Sequence, residues 1–273
     1  MLTLVIEHCA LIIYPSFPQR TMNIASSFHF AANVVKDCVF PIFCLGCDQE
    51  GIWLCDACRG KIDTRGVFVC PLCHHFTGTG ASCSACLGKS ALDGHIAITG
   101  YQEHSLIGRL IAALKYQYAE DVSSVFDSIV SKFAREQAGL MSSVDVVAPV
   151  PLHRRRFAER GFNQAEIIGR IVAGALGKPF VPLLKRHRAT KQQALLSRDE
   201  RKQNVRDAFR LAGERNWKLE TRNSGRTEER SFVGMRVLLV DDVFTTGSTM
   251  QECAKILKHA GVAGVFGFSV ARG

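Results

Sequence analysis

At 273 residues and 47% hydrophobic content, the chain can bury the core of one large domain or two modest ones. No apolar run has the length needed to span a bilayer, so no transmembrane helix is expected. The net charge of +9 is a regional property, because residues 1–100 hold 6 Lys/Arg against 7 Asp/Glu whereas residues 151–215 hold 16 against 6.

In chain order, the opening MLTLVIEHCALIIY is apolar but short, carries Glu7 and His8 and lacks a basic leader. It does not read as a signal peptide, so a cytoplasmic protein is expected. Composition offers Met22 as the start, with residues 1–21 a translational extension, and residues 1–30 as a whole read as disordered or as an extension outside the folded modules.

Residues 31–92 form a Cys-rich module with little periodicity, held by something other than an apolar core. Eight of the eleven cysteines fall in four CxxC pairs: Cys44/Cys47, Cys55/Cys58, Cys70/Cys73 and Cys83/Cys86. A CxxC turn aims two thiolates at one tetrahedral ion, and two such turns complete a four-cysteine shell. One or two four-cysteine sites are expected. Sequential grouping is the simplest arrangement, and interleaved pairing stays open. In a reducing cytosol zinc is favoured over disulfides, and regular paired knuckles suit zinc better than an iron–sulfur cluster. An all-thiolate shell leaves no open position for water, so the zinc is structural. His74 and His75 read as surface residues, and Cys253 as a small core residue.

Residues 93–273 alternate strand and helix patterns. GHIAITGY reads as a strand, SLIGRLIAALKYQY as an amphipathic helix, VDVVAPV as a buried strand and NQAEIIGRIVAGALG as a helix closing at Gly177. MRVLLV and AGVFGFSVA read as two further buried strands around the helical MQECAKILKHAG. This is an α/β pattern with a mostly parallel sheet. The polar stretch 213–231 has no evident period and reads as an exposed, mobile insertion.

The segment VLLVDDVFTTGST (Val237–Thr249) places Asp241 and Asp242 at the end of a buried strand, ahead of Thr245, Thr246, Gly247, Ser248 and Thr249 and a helix start. Free backbone N–H groups and hydroxyls there make a phosphate cradle, although neither a Walker A loop nor GxGxxG is present. Carboxylates beside a phosphate site need a partner. Vicinal ribose hydroxyls and Mg²⁺ supply one, so the segment reads as a ribose 5-phosphate site with a metal nearby.

These residues resemble the phosphoribosyl pyrophosphate (PRPP) motif of type I phosphoribosyltransferases. The resemblance implies a Rossmann-like parallel sheet with a smaller hood, Asp241 and Asp242 holding the ribose hydroxyls and Thr245–Thr249 the 5-phosphate. VVAPVPLHRRRFAERGFNQA, HRATKQQALLSRDERKQNVRDAF and ALKYQY, following the CxxC pairs, are similar to the competence protein F (ComF) family. That resemblance places a pyrophosphate-facing loop at Arg154, Arg155, Arg156 and Arg160. Three successive arginines cannot all face one pocket, so another polyanion is open to some of them. Lys115 either faces pyrophosphate or offsets a helix dipole.

Two roles remain. One is a PRPP-dependent transferase, with the basic 187–206 segment closing over the site. The other is a protein that handles single-stranded DNA, in which PRPP binding is regulatory or retained without turnover. The family resemblance implies DNA uptake in natural competence, peripheral to the inner membrane and beside the membrane-associated uptake machinery. Phe157 and Phe162 are then the nearest stacking residues in the basic block, or else core residues. The second role is the preferred biological reading, and the first describes the ancestry of the pocket.

Overall fold

The computed structural model describes residues 41–116, 119–188, 200, 204–213, 216–220 and 227–273. The readings for residues 1–30 and for most of 187–206 lie outside them. The chain divides into two compact units, meeting between Lys61 and Ile62.

In the first unit, Phe43 and Glu50 form an antiparallel bridge and helix α1 (Asp56–Arg59) follows. Among the described residues of this unit, the buried ones are Cys44, Cys55, Cys58 and Leu54.

The second unit contains β1 (Gly94–Gly100), α2 (Leu106–Tyr116), α3 (Ala119–Glu136), α4 (Ala138–Met141), β2 (Val146–Pro149), α5 (Arg154–Arg160) and α6 (Gln164–Leu176). These are followed by β3 (Leu184–Arg186), β4 (Phe209–Leu211), β5 (Asn216–Glu220), β6 (Thr227–Ser231), β7 (Arg236–Phe244), α7 (Ser248–His259) and β8 (Gly264–Arg272). The main sheet has the order β1-β8-β7-β2, and every pairing in it is parallel. Its strands are continuous apolar runs because both faces are covered. Val237 and Leu239 pack in one cluster with Met250, Cys253 and Leu257 of α7. By strand alternation Leu238 and Val240 face the other side, where Phe268, the register partner of Val240, lies 6.1 Å from Phe133 of α3. Parallel winding brings the carboxyl ends of all four strands to one edge, where such sheets bind ligands.

The strands and helices expected from periodicity are present. Helix α3 was not anticipated, although Val122, Phe126, Ile129, Val130 and Phe133, all buried, form a helical stripe. The 213–231 stretch also differs from its reading as an aperiodic insertion, since β5 and β6 pair in antiparallel register from Asn216↔Ser231 to Glu220↔Thr227. The alternation in NWKLE was the available signal.

The second cysteine group belongs to this larger unit. Val67 and Ala81 bridge to Ala97 and Gly94, so the segment that carries this second group covers the outer edge of β1. At Gly80 (φ +75°) a Cβ would lie 2.2 Å from the His95 carbonyl oxygen, a close approach that only glycine allows.

Candidate functional site

The eight paired cysteines form two groups, Cys44, Cys47, Cys55 and Cys58 in one and Cys70, Cys73, Cys83 and Cys86 in the other. The grouping is sequential, which closes the interleaved alternative. Within each group the sulfurs lie within 4.8 Å of one another. The Cys44–Cys55 and Cys47–Cys55 sulfur separations are 3.7 Å, and that of Cys73–Cys83 is 3.6 Å. A tetrahedral shell with bonds of about 2.3 Å requires sulfur separations of about 3.8 Å, so the groups fit zinc. Burial opposes ionisation of Cys44, yet the N–H groups of Cys55 and Gly46, both 3.4 Å from its sulfur, outweigh it and bring its pKa to about 6. Cys70 is likewise brought to about 6, against burial, by N–H groups of Cys73 and Cys83. Burial and the neighbouring sulfurs push Cys58 and Cys86 up to about 12. Four thiolates therefore coexist only around a compensating cation. His74 and His75 are exposed and Cys253 is buried, as read from the sequence.

At the carboxyl edge of the sheet lies a cavity of about 680 Å³. Lys115, Arg156, Arg160, Asp241, Asp242 and the whole Thr245–Thr249 loop line it. Strand β7 continues through both acids to Phe244, because β8 pairs with it that far. Asp241 Oδ1 accepts from the Asp242 N–H at 2.9 Å and Asp242 Oδ1 from the Val243 N–H at 2.7 Å. The second oxygen of Asp242 meets Lys115 Nζ at 2.5 Å. Burial, then the neighbouring Asp242 charge, push the Asp241 carboxyl up to about 8. Burial works against the Lys115 charge, but Asp242 and Asp241 outweigh it and hold its pKa above the ordinary lysine value. The aspartate pair is thus short of positive charge, as fits a place for a cation or for ribose hydroxyl donors.

The loop closes with Thr246 Oγ1 and Ser248 Oγ 2.8 Å apart. Gly247, at φ +72°, is the N-cap of α7 and has no side chain to cap it, while Thr246 Oγ1 accepts from the Ser248 N–H at 3.4 Å. The positive end of the α7 dipole makes this start a place that favours an anion. A Cβ at Gly247 would lie 2.4 Å from Phe244 Cζ, so the loop is seated directly on the Phe244 ring.

Arg154–Arg160 forms a short helix, and this decides which arginines meet the cavity. Successive residues on a helix point about 100° apart, whereas residues four apart share a face. Arg156 and Arg160 accordingly line the main cavity. Arg155 Nε pairs with Glu159 at 3.3 Å on an exposed face. Arg154 lines a second cavity of about 310 Å³, together with Phe157, Lys185, Arg186, His187 and Arg210. Phe157 is 46% exposed and Phe162 lines the first cavity, so neither is a core residue.

Several cavity residues escaped the sequence reading. Arg186, on β3, is buried, lines both cavities and has its guanidinium 5.2 Å from the Phe209 ring centroid. Gln164 is 3% exposed, and its Oε1 accepts from Arg160 Nη1 at 3.2 Å. Its Nε2 is buried with no hydrogen-bond partner among the described residues. Only the local density of basic residues marked this region.

Behind the loop, Arg272 is 5% exposed and burial lowers its pKa to about 10. Burial, with the Arg272 charge, holds His95 well below the ordinary imidazole range, so His95 is neutral. Arginine only donates, so His95 Nδ1 accepts from Arg272 Nη1 at 2.9 Å. The ring proton then sits on Nε2 and is donated to Ser269 Oγ at 3.1 Å, whose own proton goes to the Ala271 carbonyl at 2.9 Å.

The phosphoribosyl transferase domain family matches residues 163–271. With the parallel sheet, that match gives the type I phosphoribosyltransferase fold. Competence protein F of Haemophilus influenzae is 28% identical over 226 residues, covering 80% of this chain and 90% of its own length. DNA utilization protein YhgH of Salmonella typhi is 30% identical over 218 residues, covering 78% of this chain and 87% of its own. Among solved structures, the glutamine PRPP amidotransferase from B. subtilis is 20% identical with a TM-score of 0.34, over 55% of this chain and 26% of that one. The similarity to the relatives is sustained across nearly their whole length, well beyond the domain match, and on that ground the chain belongs to the competence protein F family.

Proposed function

We propose that this protein binds PRPP, or another ribose 5-phosphate ligand, with Mg²⁺ in the cavity at the end of β7. The reading also includes structural zinc in both cysteine groups and a role in handling single-stranded DNA during competence. The observation that carries the ligand reading is the convergence of Asp241, Asp242, Lys115 and the Thr245–Thr249 loop on one cavity. The 5-phosphate suits the hydroxyl-rich start of α7, and the ribose hydroxyls suit the aspartates. Arg156 and Arg160 suit the pyrophosphate, since guanidiniums stay charged and bind phosphate bidentately. Asp241 and Asp242 would hold Mg²⁺, which supplies charge neutralisation to the pyrophosphate. The residues then contribute orientation and electrostatics, and turnover with an acceptor is the alternative use of the same pocket.

The relatives' names, competence protein F and DNA utilization protein, support the DNA role. The adjoining cavity supports it too, because exposed Phe157 stands there among Arg154, Lys185, His187 and Arg210. Stacking on an aromatic ring inside a basic groove is how proteins hold single strands without sequence preference. Among the described residues no helix is long and apolar enough to cross a membrane. A cytoplasmic location, peripheral to the inner-membrane uptake machinery, is part of this proposal.

Calorimetric titration of PRPP with Mg²⁺, beside an Asp241→Ala, Asp242→Ala control, tests the ligand reading. Saturable binding lost in the control supports it. Absence of binding to the unaltered protein would overturn it.

A further inference from the structure

The second cysteine group and the phosphate loop are joined by one buried guanidinium. Arg272 Nη2 donates to the Cys70 carbonyl at 3.0 Å and approaches His74 Nδ1 at 3.4 Å. Nη1 donates to His95 at 2.9 Å. The same guanidinium lies 4.5 Å from the centroid of the Phe244 ring, and His95 packs on that ring with centroids 3.9 Å apart. The Gly273 N–H donates to the Phe244 carbonyl at 3.0 Å. Phe244 in turn is the floor under Gly247, which leaves no space for a Cβ between ring and loop. A continuous path of packed, hydrogen-bonded groups therefore runs from a metal-ligand residue to the start of α7.

We infer that Arg272 is a positioning residue through which the metal in the Cys70, Cys73, Cys83 and Cys86 group holds the phosphate loop in its ligand-ready form. The physical reason lies in the acceptor. The Cys70 carbonyl belongs to the CxxC turn that the ion ties together, and it accepts both from the His74 N–H at 3.1 Å and from Arg272. Without an ion, that turn loses the bonds that fix it. Arg272 Nε is already buried with no acceptor among the described residues, so loss of the Cys70 carbonyl would leave the guanidinium held mainly by His95. A buried donor without a partner is costly, and the group would shift to find one. Phe244, 4.5 Å from the guanidinium, and Gly247, seated on that ring, are the neighbours such a shift disturbs. Metal state and loop order are thereby coupled, and by thermodynamic linkage the coupling acts in both directions. The consequence for ribose phosphate rests on the function proposed above, whereas the coupling itself does not.

The test uses amide hydrogen exchange on the ligand-free, zinc-loaded full chain, so its failure is distinct from a failure to bind PRPP. The variants are Cys73→Ser, Arg272→Met, their combination, and Cys47→Ser as a control that disrupts the quartet of the other unit. Cys73→Ser is expected to raise exchange across Phe244–Thr249 on the order of tenfold. Arg272→Met should do the same. The combination should exceed neither, and Cys47→Ser should leave the loop unchanged. Additive effects of the two substitutions, or an unchanged loop in Cys73→Ser, would overturn the inference. Should Cys73→Ser not fold, zinc release to a chromogenic chelator decides the matter with Arg272→Met alone. One of the two zinc ions should leave on the order of tenfold faster than from the unaltered protein. Identical release of both ions would refute the coupling.

Discussion

Replacing Lys115 by Met removes the cation that faces the aspartate pair. Lys115 Nζ lies 2.5 Å from Asp242 Oδ2, with the two side chains 24% and 12% exposed. At an effective dielectric constant of about 20, unit charges at that separation attract by about 7 kcal/mol. Desolvation of the two ions offsets much of that attraction. Removing one partner is a different matter, because it leaves the buried Asp242 carboxylate without its counter-charge, and such losses run to about 3–5 kcal/mol. Partial exposure places Lys115→Met near the lower end, at about 3 kcal/mol. The loss should be larger at pH 8, where Asp241 begins to ionise beside Asp242, than at pH 5, where Asp241 holds its proton. Adding Asp242→Asn removes the stranded charge, so the double variant should recover about 2 kcal/mol relative to the single. Urea unfolding followed by circular dichroism in a chelator-free, magnesium-free buffer gives these values. A cost below about 1 kcal/mol, or no recovery in the double variant, would refute the assignment of Lys115 as the counter-charge.

The remaining predictions concern neighbouring parts of the molecule. Asp241, with a folded pKa of about 8 against an ordinary 3.8, binds its proton more tightly folded than unfolded. Its contribution to stability is therefore present at low pH and is lost as pH rises from about 4 through about 8. Asp241→Asn should flatten the melting temperature of the ligand-free protein across that window, and an unchanged profile would show the carboxyl is not the source. Gly247→Ala adds a positive-φ penalty of about 1–2 kcal/mol to the overlap with Phe244 and should both destabilise the fold and weaken PRPP binding; a melting temperature within a degree of the unaltered protein would contradict the seating of the loop. Arg156→Ala should weaken PRPP binding about tenfold or more, whereas Arg155→Ala should leave it unchanged; equal effects in calorimetry would contradict the split across the helix. Removal of Arg154 together with Lys185 should lower the salt dependence of single-strand binding by a slope of about 1–2, measured by fluorescence anisotropy. An unaltered slope would remove the second cavity from the DNA path.

The sequence alone determined the α/β alternation, since the buried strands and the helix-spaced runs have periods that hardly overlap. It also determined the four CxxC pairs and the acid-rich, hydroxyl-rich turn after β7, because their residue types and spacing are dictated by a tetrahedral ion and by an anion at a helix start. Tertiary structure decided the rest. The side of a seven-residue helix that faces the cavity separated Arg156 and Arg160 from Arg154 and Arg155, and charge density along the chain has no direction in it. Arg186 and Gln164 entered the cavity through the packing of β3 and α6, elements that carry no chemical motif there. Cys70 and Arg272 are separated by 202 positions in sequence, so no local pattern could pair them; only the folding of a knuckle onto the edge of β1 brings that carbonyl to the end of β8.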